Sequence, residues 1–253
     1  MPHRTSTPTS VTRTPVPLTI WPHVPPAPGS LADRSRSPRA GALDPHVVCR
    51  LIATYTGADG LVIDLDAHPA TTATADWIDR YAALVITHRD HPAGPGTPTP
   101  VRLFSSYGER ATTIAVHADQ LADVLHAAAG TADLIITRYP HVDADITEPI
   151  DLRLLAQACA VALRPGGVLA VTVAHVDASG RFADHASHAV TAAKAAGLVY
   201  HQHLIAIDEP LREPPLEQRV ERPDADACRD TDFTHRRQHT DLLIFTTKEA
   251  INV

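Results

Sequence analysis

A chain of 253 residues with 44% hydrophobic and 20% charged residues has ample length to bury a core and an ordinary globular composition. No apolar run approaches the roughly 20 residues that span a bilayer, no apolar signal core opens the chain, and Cys49, Cys159 and Cys228 show no paired spacing, so the expectation is a reduced, cytoplasmic protein without a membrane segment. The net charge is −7, but residues 1–43 carry five arginines against the single acid Asp33, leaving −11 for the remainder, which excludes broad, sequence-blind binding of phosphates.

Residues 1–42 are dense in proline, with Ser, Thr and Arg between, and read as a disordered tail. Arginines and serines with a single acid also match an organellar transit peptide, although the prolines spoil an amphipathic helix. Within the tail, Thr19-Ile20-Trp21-Pro22 is a short apolar patch suited to docking on a folded domain spanning residues 43–253. Asp44-Pro45 caps a first helix running through Val47 to Tyr55, with Asp at the N-cap and Pro at the first helical position. Gly57 and Gly60 break it, and the apolar run Leu61 to Asp64 forms a buried strand with a loop at its carboxyl end.

A helix is expected over Ala73 to Tyr81, a strand over Ala82 to Thr87, and a Pro/Gly loop over His91 to Pro100. Val101 to Phe104 and Thr113 to Val116 suggest further strands, and a helix follows from Ala118-Asp119 through Ala129. Asp133 to Thr137 is the next strand, then a helix from Asp151 to Leu163, broken by Arg164-Pro165-Gly166-Gly167. Val168 to Ala174 is apolar throughout, as a central parallel strand should be. A helix from His185 to Ala196 stops at Gly197, and Leu198 to Ile207 and Leu242 to Thr247 are the last strands, separated by a polar segment whose acidic part is 209–230. Strands alternating with helices give an α/β, doubly wound sheet, and ligands of such sheets bind at the carboxyl ends of the strands.

Three motifs in this order resemble the S-adenosylmethionine-dependent DNA amino-methyltransferases, which modify the exocyclic amine of adenine or cytosine. The resemblance covers about Leu43 to Thr247 and implies a Rossmann-like fold of the class I methyltransferase type, with about seven strands and the last antiparallel. The family's cofactor loop, Leu-Asp-Pro-Phe-x-Gly-x-Gly-Thr-Thr, stands here as Ile63-Asp64-Leu65-Asp66-Ala67-His68-Pro69-Ala70-Thr71-Thr72. The Asp and the Thr pair match; both glycines are gone. The catalytic loop, Asp(or Ser, Asn)-Pro-Pro-Tyr, stands as Arg138-Tyr139-Pro140-His141, where only Pro140 matches. Leu163-Arg164-Pro165-Gly166-Gly167 fits the later turn closely, a turn shared by many methyltransferases.

By resemblance, S-adenosylmethionine would be held by Asp64, Asp66, Ala67, His68, Thr71 and Thr72, with Asp119 at the adenine and His88 (or Asp90) at the ribose. The substrate would be DNA or another nucleobase-containing molecule. The departures act against this chemistry. His68-Pro69 replaces glycine with a bulky ring and deletes a backbone donor, which weakens cofactor binding; Asp66 can offset part of the loss as an acid near the sulfonium or amino group. Arg138 is donor-only and cannot accept from a target amine, and it would repel a cationic cofactor. An active enzyme needs an acceptor there, from Asp133 or Asp143 if either reaches it. Tyr139 and His141 are left to stack on a flipped base. The expectation is a weakened or inactive methyltransferase, the alternative a non-catalytic protein of the same fold with a regulatory or scaffolding role.

No Gly-x-Gly-x-x-Gly follows the first strand, which disfavours a dinucleotide enzyme, and no Gly-x-Ser-x-Gly elbow marks a hydrolase. The pairs His235/His239 and His185/His188, with Cys228, fall short of the four ligands of a zinc site, so no metal is expected. His201 and His203 alternate along a strand as an outward face.

Overall fold

The computed structural model describes residues 16–22, 43–88, 110–140, 151–174, 183–207 and 239–248. The expected strand at Val101 to Phe104, the 91–100 loop and the 209–230 segment lie outside these residues, as do Asp90, His141, Asp143, Cys228 and His235. Among the described residues no helix is long and apolar enough to cross a membrane.

The chain order is β1 (Leu18–Trp21), α1 (Pro45–Tyr55), β2 (Leu61–Asp64), α2 (Pro69–Trp77), β3 (Tyr81–His88) and β4 (Ala111–His117). After a short 3-10 turn at Ala118–Gln120 come α3 (Leu121–Ala127), β5 (Ala132–Tyr139), α4 (Leu152–Ala162), β6 (Leu163–Val173), α5 (His185–Ala195), β7 (Val199–Ile207) and β8 (His239–Thr246). The strands form one sheet in the order β1-β7-β8-β6-β5-β2-β3-β4. All pairings are parallel except those of β8, which runs antiparallel to both β6 and β7. With β1 set aside, this is the strand order and the antiparallel last strand of the class I methyltransferase type expected from the sequence.

The sheet is doubly covered. One face packs β-residues such as Ile63, Ile135, Val171 and Phe245 against α3, α4 and α5; the other packs Val62, Leu134, Ile136 and Ile244 against α1 and α2. Adjacent residues of β2 and β5 thus serve opposite faces, and both must be apolar. With few aromatics, these cores consist mostly of Ala, Val, Leu and Ile. Chain order reverses between β2 and β5, which pair directly, so the crevice of an open sheet lies at their carboxyl ends.

The apolar patch in the tail does dock. Leu18–Trp21 pairs in parallel with β7, adding an eighth strand at the sheet edge. Trp21 is buried, and the Arg50 guanidinium lies 4.4 Å from its ring centroid. Gln202 joins the layers, donating to Thr19 Oγ1 at 2.5 Å and accepting from Tyr55 Oη at 3.0 Å.

Several details differ from expectation, three of them with a clear physical reason. α2 starts at Pro69, not Ala73, and ends at Trp77, because His68 caps it and Pro69 occupies its first turn. The Arg-Pro-Gly-Gly stretch does not precede β6 but is bulged out of it: Leu163 pairs with Ala132 and Val168 with Leu134, with a register shift between. His203 does not simply face outward like the exposed His201; its Nε2 lies 2.7 Å from Asp241 Oδ1.

The bulge makes a sharp prediction. A Cβ on Gly167 would sit 2.8 Å from the Arg164 carbonyl and 2.9 Å from that of Ala132, both backbone, while one on Gly57 meets nothing within 4 Å. Gly167→Ala is expected to lower unfolding free energy by about 2 kcal/mol and Gly57→Ala by much less, as read from paired urea denaturation curves.

Candidate functional site

The crevice is built from the loop after β2 and the end of β5. In the first loop Asp64 is fully buried and turned inward. Its Oδ1 accepts from the Asp66 amide at 2.9 Å; its Oδ2 accepts from the His68 amide at 3.0 Å and the Thr71 hydroxyl at 2.5 Å. His68, also buried, accepts the Ala70 amide on Nδ1 at 3.1 Å, and the Thr71 amide donates to the His68 carbonyl at 3.0 Å. The amides of Asp66, His68, Ala70 and Thr71 and the Thr71 hydroxyl are therefore spent on the loop itself. Thr72 reaches the Pro69 carbonyl at 3.3 Å.

The missing glycines acquire a physical explanation here. Where glycine would let a ligand approach bare backbone, His68 fills the space and substitutes its ring for a capping side chain. That role requires an unprotonated Nδ1, and burial, only partly offset by the Leu43 backbone and the nearby Asp66 and Asp44, lowers the imidazole pKa from its usual value. Ala67, between the two acids and the cap, takes the left-handed φ of +50°, a conformation that glycine adopts without cost.

Asp64 carries opposing influences. Burial first, then the neighbouring Asp66 charge, push its pKa up to about 7, against the three donors that favour the carboxylate.

Across the crevice, Arg138 near the end of β5 meets Asp66. Its Nε lies 3.1 Å from Asp66 Oδ1, and each side chain is 18% exposed. The two residues expected to act separately, one favouring a cationic ligand and one repelling it, are thus joined into an ion pair that ties the loop after β2 to the end of β5. Tyr139 packs edge-on against His185 at the start of α5, with centroids 5.3 Å apart and rings at 89°. Pro140 follows through a cis peptide.

Of the other expected site residues, His88 and Asp119 stand at the carboxyl ends of β3 and β4, on the same edge of the parallel sheet as Asp64 and Arg138, whereas Asp133 does not. Asp133 does not reach Arg138: it lies near the opposite end of β5, accepting from the Leu61 amide at 2.9 Å and pairing with Arg164 Nη2 at 2.5 Å. Asp119 is exposed in the turn after β4. His88 ends β3, where its backbone pairs with that of His117. No cluster of three or more potential metal ligands occurs among the described residues. A cavity of about 300 Å³ lined by Trp21, His46, Cys49, Arg50 and Trp77, among others, includes none of the crevice residues.

The sequence alone missed the Asp66–Arg138 pair and the His68 cap. The cap had a signal, a polar side chain directly before a proline. The pair had none, because its members are far apart in the chain.

No family model matches the chain, and no curated protein does. Solved structures do align with it. The cyclase SpnF covers 81% of this chain and 82% of its own at 15% identity, with a TM-score of 0.49. A Burkholderia thailandensis 1,6-didemethyltoxoflavin-N1-methyltransferase, solved with its substrate and S-adenosylhomocysteine, covers 81% and 78% at 15% identity and a TM-score of 0.46. A Haemonchus contortus phosphoethanolamine N-methyltransferase 2, in complex with S-adenosyl-L-methionine, covers 81% and 52% at 13% identity and a TM-score of 0.44.

Two outcomes follow from the loop. Between its ordinary value of 3.8 and about 7, native Asp64 keeps a proton that the unfolded chain has lost, so its contribution to stability falls as pH rises through that window. Urea midpoints measured from pH 4 to pH 8 should show this decline in the natural protein and a flatter profile in Asp64→Asn. Ala67→Gly, which relieves the left-handed backbone, is expected to raise stability by about 0.5–1 kcal/mol in the same assay.

Proposed function

We propose that this chain is an S-adenosylmethionine-binding protein of the methyltransferase type, related in pattern to the DNA adenine and cytosine amino-methyltransferases, in which transfer to a base amine is weakened or lost. The observation that carries the reading is the Asp66–Arg138 ion pair. It occupies the junction of the two loops whose motif positions, by resemblance, serve cofactor and amine. Methylation of an aromatic amine requires acceptors aimed at the NH2 group. A guanidinium has no acceptor, and the carboxylate within reach of it is already committed to the guanidinium.

The cofactor side is impaired in a different way. The positions that match the family, Asp64 and Thr71, are bonded to one another inside the loop. A ligand would have to bind over that closed loop without the amides of Asp66 and His68, which face Asp64. Affinity is therefore expected to be lower than a glycine-rich loop allows. The Asp66 charge next to Arg138 neutralises the repulsion that an isolated arginine would exert on a sulfonium. Tyr139, partly buried beside His185, is, among the described residues, an aromatic surface of the motif itself for a flat substrate.

A regulatory or scaffolding protein that keeps the fold and the ligand but no turnover is the second reading, and the same ion pair favours it. Calorimetric titration of S-adenosylmethionine and S-adenosylhomocysteine, followed by a methyl-transfer assay on DNA, RNA and free bases, tests both: slow transfer marks a residual enzyme, and binding with none marks a protein that has kept only the ligand. Binding with a dissociation constant of about 10⁻⁵ M or weaker, roughly −7 kcal/mol, and no transfer to a base amine is the expected result. Robust amine methylation would overturn the proposed loss of transfer, and no heat at millimolar ligand would overturn the binding.

A further inference from the structure

We infer that the cavity beside α1, of about 300 Å³, is a second ligand site, distinct from the crevice, and that it takes a small planar aromatic carboxylate. The chain holds two tryptophans in 253 residues, and both line this cavity. Trp21 is a buried wall, whereas Trp77, at the end of α2, is 77% exposed. His46, Cys49, Arg50 and Ala53 line it from one stripe of α1, at i, i+3, i+4 and i+7. A different stripe, Val48, Leu51 and Ile52, holds that helix to the sheet. The cavity is therefore framed by groups that the core does not use.

Arg50 sets the charge of the ligand. Its guanidinium lies 4.4 Å from the Trp21 ring centroid, and among the described residues no carboxylate pairs with it. An indole face leaves the N–H fork at the guanidinium edge unfilled, and a carboxylate fits that fork with two parallel bonds. Asp44 also lines the cavity, but its Oδ1 accepts the His46 amide at 2.8 Å as the cap of α1, so it is committed to the fold. The Nε2 of His46 is buried with no hydrogen-bond partner, a state that is costly until something bonds to it. The indoles set the shape: a flat ring gains wide apolar contact with them and favourable offset or edge-on packing. A neutral ring leaves Arg50 unmatched, and an aliphatic acid leaves the indole faces poorly covered. The volume is at the lower end for small-molecule sites, which suits a ligand of one or two rings. Because Trp21 belongs to β1, the site is complete only while that strand is seated on β7, and a bound ligand favours the seated state.

With both tryptophans in the cavity, intrinsic fluorescence reports on this site directly. The full chain is titrated with benzoate, benzamide, benzylamine and cyclohexanecarboxylate, with N-acetyltryptophanamide as the control for collisional quenching. Benzoate is expected to give a saturable change with a dissociation constant of about 10⁻³ M or tighter. Benzamide and cyclohexanecarboxylate should bind at least about fivefold more weakly, and benzylamine most weakly of all. Arg50→Gln should bring benzoate and benzamide to equal affinity, and Trp77→Leu should remove the advantage of benzoate over cyclohexanecarboxylate. Both side chains are exposed, so neither change threatens the fold. No saturable change at about ten times that concentration overturns the inference. So does benzamide, benzylamine or cyclohexanecarboxylate binding as tightly as benzoate, or a benzoate-to-benzamide ratio that Arg50→Gln leaves unchanged. Each of these results leaves the S-adenosylmethionine reading standing, because the cavity shares no residue with the crevice.

Discussion

A buried carboxylate that spends both oxygens on its own loop is the constraint on which this site depends. Asp64 ends β2, and the chain after it folds back so that two amides and a hydroxyl converge on that one side chain. The convergence fixes the direction of Asp66, the entry of α2 and the position of the His68 ring. Each bond from a neutral donor to a charged acceptor is among the stronger ones a protein makes. Burial opposes them by penalising the charge itself, so the loop is held by an interaction poised between two protonation states.

This arrangement replaces one solution to a geometric problem with another. A tight turn from strand to helix can be made by glycines, which leave the backbone bare and able to receive a ligand. Here it is made by side chains: a proline to start the helix, a histidine to cap it, a threonine to fasten it to the strand. The turn is as compact, yet its polar groups look inward. Asp66 and Arg138 then span the mouth of the crevice, and the chemistry left facing outward is that of a matched pair of opposite charges.

The sheet was legible in the sequence because its residues report their environment locally. Apolar runs such as Leu134 to Ile136 and Val168 to Val171 are buried on both faces, and only central strands of a wound sheet meet that condition. Asp44 before Pro45 and Asp151 before Leu152 marked helix starts, and both carboxylates cap the following turn. The start of α2 was misplaced because His68 is an unusual cap, and the turn before β6 because a bulge keeps register on both sides of an insertion. The site was legible as a location but not as an arrangement. Nothing local in Asp66 or Arg138 announces a contact between residues 72 positions apart in sequence, and nothing in Asp64 announces that it faces inward.

The edge strand has a consequence for the order in which the molecule is completed. Leu18 lies beside His203, so the strand and its partner are separated by most of the chain. During synthesis at about 5–20 residues per second, residues near position 20 emerge on the order of ten seconds before β7 exists to receive them. The wound sheet from β2 to β6 can assemble in that interval from short crossovers, whereas the edge must await the antiparallel pairing of β7 and β8. The first of the described strands is thus among the last to be seated, and until then the outer edge of β7 is open to pairing with another chain.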